Sequence, residues 1–440
     1  MSIAKLPVQG PEDLLSYIPH ALGYWPEESL VCVTLGRSRV GATLRLDLPR
    51  ARSRAALASY ARQAASYLRS DGSADGVLAA VFTAEAWARG AAPPHRRLLD
   101  ALTGALADAG LPIRDAWYLG PAAWRNYDCE DAECCPWPGR PLEDITGSRL
   151  SAELVYRGSS YEPDAAAAAR TGSRALPADE AGRVAAAAAE YRKQIGTGWA
   201  EEQQFSAALL VWESLLGRTL PEPNASAVPD TATAGFLLAS LDSVAVRDTV
   251  LVQAATGLLA AAAGARGCGL PGGPARAAEA VLPAGFAGPA PGADAPGGQA
   301  ATGPVPGAVP GSAPGSSAGE RKTGGKRQEQ RPAALAAQYG AVLVGESLVR
   351  PDWERLERAD RLLALLASCP GTDGRAAALT MRSWIEWCRG RGSRADALLA
   401  EALQAAPGYR LAVLLRELLS TGHLCAWARD RELAWQRASG

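Results

Sequence analysis

Histidine and lysine are nearly missing from this chain. Its 440 residues hold three histidines, His20, His95 and His423, and four lysines, Lys5, Lys193, Lys322 and Lys326. The histidines stand far apart, so no HExxH helix and no paired Cys/His chelating motif can be written. Positive charge falls almost wholly to arginine, and it is balanced: 45 basic against 46 acidic residues leave a formal net charge of -1. No global field draws such a chain to nucleic acid or an anionic membrane. Aromatics do not interleave with basic patches as single-strand platforms require. No apolar run reaches the ~18 residues of a membrane span. The nearest, Val250–Ala263, is alanine-weighted and broken by Gln253 and Thr256. Met1–Lys5 carries no apolar signal core. A cytoplasmic protein is therefore expected, with no membrane partner, and its eight cysteines are expected to be mostly free thiols.

Phosphate and nucleophile motifs are missing too. No GxGxxG follows a strand, and Glu320 stands where a P-loop ending at Gly325-Lys326 needs its first glycine. Gly315-Ser316-Ser317-Ala318-Gly319 fits GxSxG, but it lies in low-complexity sequence with no strand before it. Asn224-Ala225-Ser226 is a sequon without meaning in a cytosolic chain.

What is present is a patterned chain of 48% hydrophobic residues with 46 Gly and 31 Pro. That length suits two or three domains with a real core. Gly10-Pro11-Glu12-Asp13 reads as a helix start, and Pro19 is expected to stop that helix. Leu30–Leu35 and Val40–Leu48 flank a turn and read as an antiparallel hairpin. Ala51–Leu68 and Pro94–Ala109 have the apolar stripe of amphipathic helices. Val77–Phe82 and Ile113–Leu119 read as strands, the first a continuous apolar run. The order implies a mixed sheet covered by helices.

From about Leu150 the chain turns helical. Phe205, Leu209, Trp212 and Leu216 keep 4-3-4 spacing within Ala200–Leu216, and two more helices follow at Gly235–Leu241 and Val246–Leu259. Gly264–Gly325 has almost no large apolar residues and cannot offset its ordering entropy. Five helices are expected after Pro332. Ala395, Leu399, Ala402 and Pro407 match the second half of one tetratricopeptide-like hairpin.

The densest stretch is Trp124–Gly139, with three cysteines, two tryptophans, Tyr127 and the carboxylates Asp128, Glu130, Asp131 and Glu133. It follows a strand of the expected sheet, and ligands gather at the carboxyl ends of such strands. Cys129, Cys134 and Cys135 admit three readings. A zinc site usually needs two separated chelating pairs, which adjacent cysteines supply poorly. A nucleophilic thiol needs a base, and none is paired with it in sequence. The favoured reading is a packed corner, with small buried thiols beneath Trp124, Tyr127 and Trp137. Glu27-Glu28-Ser29, before the first strand, is a second group that could line a pocket.

Three stretches together resemble an actinobacterial family known as a domain of unknown function, DUF4192. They are Gly10–Leu15 with Leu22-Gly23-Tyr24 and Arg45–Pro49; Trp124-x2-Tyr127-x-Cys129 with Cys134-Cys135-Pro136; and Val246-Arg247-Asp248 with Trp384-x2-Trp387 and Pro407-x-Tyr409-Arg410. The family form often has Gly-Phe-His-Pro where this chain has Gly23-Tyr24-Trp25-Pro26. Trp25 thus argues against a catalytic role there. The resemblance carries no activity with it.

The resulting expectation is α+β or α/β: an N-terminal mixed sheet with flanking helices, then an all-α helical domain interrupted by a disordered linker. The boundaries are 1–150, 151–263, 264–331 for the Gly/Pro/Ala linker, and 332–440. The expected function is a non-enzymatic interaction or regulatory module with a protein partner and no cofactor. The alternative is a small-molecule or nucleotide-type enzyme with its site at the 124–139 loop. The candidate site residues are Trp124, Tyr127, Asp128, Cys129, Cys134, Cys135, Glu28 and Ser29, with no catalytic residue and no metal assigned.

Overall fold

The computed structural model describes residues 8–36, 39–171, 175–217, 228–272, 279–286, 324–371 and 373–436. The N-terminal part is a mixed β-sheet with flanking helices, and an all-α part follows it. The sheet has six strands: β1 (Ser29–Gly36), β2 (Arg39–Asp47), β3 (Gly76–Phe82), β4 (Ile113–Leu119), β5 (Ala123–Asn126) and β6 (Arg140–Pro141). Their spatial order is β2-β1-β3-β4-β5-β6. Only β3 and β4 run parallel; the other neighbours are antiparallel.

Alternation along the strands sorts side chains to two faces. Leu30, Cys32, Val77, Ala79 and Val81 share one core with the stripes of helices α2 (Arg54–Leu68) and α3 (Arg96–Asp108). Val31, Val33, Leu78, Ala80 and Phe82 face Leu15 and Ile18 of helix α1 (Pro11–Leu22), together with Trp117, Trp124 and Ile145. Every residue of β3 is buried, which is why its sequence reads as an unbroken apolar run.

Helix α1 does not stop at Pro19. It runs through that proline to Leu22 and ends on Gly23, whose φ of 80° suits glycine. The missing proline N–H costs one helical hydrogen bond, but Leu15 and Ile18 are fully buried, and that packing holds the helix. The short strand β5 is likewise absent from the sequence reading.

Three short helices follow: α4 (Glu143–Thr146), α5 (Arg149–Tyr156) and α6 (Ala165–Arg170). The all-α part contains α7 (Ala178–Ile195), a 3-10 turn at Gly196–Ala200, α8 (Glu202–Leu216), α9 (Thr231–Ser240), α10 (Val244–Thr256), α11 (Leu258–Gly267), α12 (Gly324–Leu343) and α13 (Trp353–Ala367). The chain closes with α14 (Asp373–Cys388), α15 (Gly392–Ala405), α16 (Arg410–Ser420) and α17 (Ala426–Arg429). The chain forms two compact units: residues 1–173, 382–404 and 410–440, and residues 174–381 with 405–409.

At its edges the expected linker is helical. Gly264–Gly267 closes α11, and α12 begins at Gly324. The glycines let these helices meet: a Cβ on Gly264 would lie 2.8 Å from Tyr339, and one on Gly267 2.6 Å from the Pro332 carbonyl. Val281 is held in both directions by the Gln204 side chain, at 2.8 and 3.0 Å. The rest of the expected linker, at 273–278 and 287–323, lies outside the described residues, as do Asn224–Ser226 and Gly315–Gly319. Among the described residues no helix is long and apolar enough to cross a membrane.

Candidate functional site

The cysteine loop is built on β5 and β6. β5 turns back along β4, pairing Leu119 with Trp124 and Trp117 with Asn126, and the Tyr127 N–H then bonds the Ala116 carbonyl at 2.9 Å. The loop therefore leaves from the far end of a reversed strand, not directly from the carboxyl end of β4. It returns at Arg140, which pairs with Trp124. Gly139 makes the return possible. Its φ is 146°, and a Cβ there would lie 2.6 Å from the Trp124 carbonyl oxygen.

Within the loop a turn centred on Asp131 gathers the sulfurs. Its Oδ1 accepts from the Glu133 N–H at 2.8 Å and the Cys134 N–H at 3.4 Å, while its carbonyl accepts from the Cys135 N–H at 2.7 Å. The sulfurs of Cys129, Cys134 and Cys135 all lie within 4.8 Å of one another, and those of Cys134 and Cys135 are 3.9 Å apart. None is in a disulfide. Of the two or three thiols expected to be buried, Cys135 is; Cys129 is half-buried and Cys134 is exposed. The turn carries Cys134 outward to solvent, while Cys135, Trp124 and Tyr127 stay buried. Burial pushes the Cys135 thiol up to about 11; a hydrogen bond from the Asn126 backbone opposes this, and the neighbouring Cys129 and Cys134 thiols add to it.

Aromatic rings and two arginines wall the loop. Trp124 is buried and donates from Nε1 to the Pro141 carbonyl at 3.0 Å. Tyr127 is buried and donates to the Pro94 carbonyl at 2.8 Å, and burial raises its phenol. Trp87 stacks on Tyr127 and meets Trp137 edge-on. The Arg125 guanidinium lies 4.7 Å from the Trp87 ring centre and 5.1 Å from that of Trp137. Arg125 donates to the Cys129 carbonyl at 3.3 Å, and Arg140 to the Cys134 carbonyl at 3.0 Å. Trp87, Arg125 and Arg140 are members of the site that sequence reasoning did not select. Trp87 follows a buried strand by five residues, and no local spacing ties it to the cysteines.

The remaining candidates are engaged elsewhere. Asp128 pairs with Arg96 and borders a shallow groove lined by Arg96, Asp100, Asp115 and Asn126. Burial raises the Asp115 carboxyl in that groove, against a hydrogen bond from Asn126. Ser29 is fully buried at the start of β1, bonded to the Glu27 carbonyl and receiving the Arg45 Nε at 2.8 Å. Glu28 reaches the end of β3, where its Oε1 accepts from the Ala84 N–H at 2.6 Å and the Thr83 hydroxyl at 3.2 Å. There it joins His95, whose Nε2 is 3.4 Å from Thr83 Oγ1 and 3.7 Å from a Glu85 carboxylate oxygen.

Neither curated proteins nor solved structures provide a match to this chain. A family model does match, over residues 11–284 and 345–423, and it covers all but Gly10 of the three stretches on which the resemblance rested. The chain belongs to the DUF4192 family, a domain of unknown function.

Proposed function

We propose that Cys129, Cys134 and Cys135 hold a soft divalent cation, with zinc the best fit, and that this centre is the reactive site of a small-molecule enzyme in the α/β domain. One observation carries the reading: three unpaired sulfurs of one loop lie within 4.8 Å of one another. Thiolates about 2.3 Å from a tetrahedral zinc are about 3.8 Å apart. The Cys134–Cys135 separation of 3.9 Å needs almost no adjustment to meet that. Three thiolates on a dication leave one negative charge, and Arg125 and Arg140, bonded to the carbonyls of two of these cysteines, suit it.

Three protein ligands, of which Cys134 is exposed, would leave a fourth position open to solvent. A closed structural site has four protein ligands; an exchangeable fourth position marks catalytic ones. Zinc held by Cys129, Cys134 and Cys135 would supply Lewis acidity there. The groove beside Asp128 gives a small polar molecule a place to lie. A non-enzymatic docking surface, the other reading, has no need of converging thiols.

Metal analysis of the full chain tests the cation. One zinc per chain is expected, lost in the Cys129→Ser/Cys134→Ser/Cys135→Ser variant with far-ultraviolet circular dichroism unchanged. Cobalt substitution then tests the open position: azide should shift the visible bands of the cobalt protein. Metal-free protein that takes up neither ion overturns the centre, and cobalt bands indifferent to azide overturn the enzyme.

A further inference from the structure

The groove beside the cysteine loop has a volume of about 370 Å³, the size that holds a small molecule. Arg96, Leu99, Asp100 and Thr103 reach it from one stripe of α3, at the spacing of a single helix face. Ile113 and Asp115 reach it from β4, and Asn126 from the end of β5. Asp128, the residue before Cys129, completes it next to the proposed centre.

Charge in this groove is unbalanced. Three carboxylates line it, those of Asp100, Asp115 and Asp128, with two guanidiniums, those of Arg96 and Arg114. Arg96 is shared by two of the carboxylates: its Nε lies 2.8 Å from Asp100 and its Nη1 2.5 Å from Asp128. Arg114 is engaged by Asp75, donating to its carbonyl at 3.0 Å and lying 3.8 Å from its carboxylate. Asp115 has a neutral partner, Asn126 Nδ2 at 3.3 Å, and among the described residues it pairs with no cation. Three negative charges thus meet the one positive charge of Arg96. The Asn126 amide also accepts from the Asp128 N–H at 2.9 Å, so one side chain ties Asp115 to Asp128. In both aspartates the printed contact is to Oδ1, which leaves Oδ2 to accept from a ligand.

We infer that the groove binds a small primary amine as its ammonium ion, with the charged nitrogen on Asp115 and Asp128 and the alkyl part against Leu99 and Ile113. This rests on the reading of the groove as the place of the substrate, and it names the class of that substrate. An alkylamine, like a lysine side chain, is charged at neutral pH. It offers three N–H donors to carboxylates that can only accept. A bare divalent ion suits the groove less well. Among the described residues only Cys129, Cys134 and Cys135 bring three ligand atoms within metal-holding reach of one another. The groove's aspartates do not converge in that way, and its lining adds the apolar surface of Leu99, Ile113 and Ala116, which an alkyl chain covers and a metal ion does not.

Ligand-detected NMR titration of the full chain at pH 7 tests it, with n-butylammonium, n-butanol and butyrate as cationic, neutral and anionic probes of one size. Butylammonium should bind, and the other two should not. Asp115→Asn keeps the shape of the groove and removes one charge-assisted bond, so it should weaken butylammonium by roughly tenfold. Asp115→Lys places an ammonium of the chain's own in the groove and should abolish binding. Butylammonium that binds no better than butanol overturns the inference, and so does an unchanged affinity in both Asp115 variants. The same titration on the Cys129→Ser/Cys134→Ser/Cys135→Ser variant separates this result from the metal centre. Selective butylammonium binding there, in a chain that takes up no zinc, supports the ammonium groove whatever becomes of the centre. A native chain that carries zinc but shows no preference for butylammonium overturns the ammonium groove alone.

Discussion

Two residues other than glycine hold a positive φ among the described residues: Glu28 at 40° and His95 at 58°. Both bring their side chains to the same hydroxyl, that of Thr83. Each conformation costs on the order of 1–3 kcal/mol, so the contacts at Thr83 must hold against it. The His95 imidazole is held below 6.5, first by burial; the Glu85 and Glu28 carboxylates pull it up, and Arg52 pushes it down. Burial alone lowers His20, whose ring nitrogens meet Ser159 at 3.0 Å and Ser151 at 3.4 Å. A depressed histidine binds fewer protons folded than unfolded. Stability from both rings is therefore complete above pH 6.5, the ordinary histidine value, and is lost as pH falls through their folded values. The urea midpoint should drop between pH 7 and pH 5, and His95→Gln should flatten that drop by removing one of the two groups. An unchanged slope in His95→Gln would show that His95 does not contribute.

Close approach sets the helix pairs, and it can reverse the sign of a propensity. Gly235 sits inside α9, where glycine costs about 1 kcal/mol against alanine. A Cβ there would meet Ala187 Cβ at 2.6 Å and the Ala188 backbone nitrogen at 2.9 Å on α7. Backbone cannot swing aside as a long side chain can, and overpacking costs about 1–3 kcal/mol. Gly235→Ala should therefore destabilise by up to about 2 kcal/mol net in chemical denaturation, where an exposed helix would gain. A gain in stability would mean that α7 and α9 can part cheaply. Most helices and strands could be read from the sequence because their patterns are local: the stripe of α3 and the run of β3 need no partner to be seen. What escaped depends on contacts distant in sequence. α1 persists past Pro19 because its far face is buried. β5 is four residues long and is recognised only beside β4. The three cysteines are legible in the sequence as a cluster, but their convergence is not. Adjacent cysteines look like poor chelators until the Asp131 turn brings Cys129 to them.

At the scale of the molecule, the unit that holds the sheet draws on both ends of the chain. Gln63 on α2 donates to the Thr421 carbonyl at 2.6 Å, and Tyr67 on the same helix donates to the carbonyl of Gly422. Arg394 donates to the Leu22 carbonyl at 3.4 Å, and its guanidinium lies where a Cβ on Gly23 would stand. Arg382 reaches the Ala169 carbonyl at 3.2 Å, and Arg170 pairs with Glu401 at 3.2 Å. Three tryptophans of the C-terminal segments, Trp384, Trp387 and Trp427, are almost fully buried in the intact chain. Sequence patterning places these segments among the helices but cannot show what they close upon. Large aromatic side chains bury about 150–250 Å² each, so the surface they leave behind in a truncated protein is considerable. A fragment of residues 1–173 keeps every strand, yet it loses these caps on α1 and α2. It should be soluble only in part and cleaved by trypsin far faster than the full chain. Adding residues 382–440 as a separate chain should restore protection. Opening of such a fragment before cleavage follows its equilibrium stability, so a loss of about 3 kcal/mol would speed proteolysis by roughly a hundredfold. A fragment as resistant as the full chain would show that the sheet and its own helices suffice, and that the C-terminal segments are attached to the unit without holding it together.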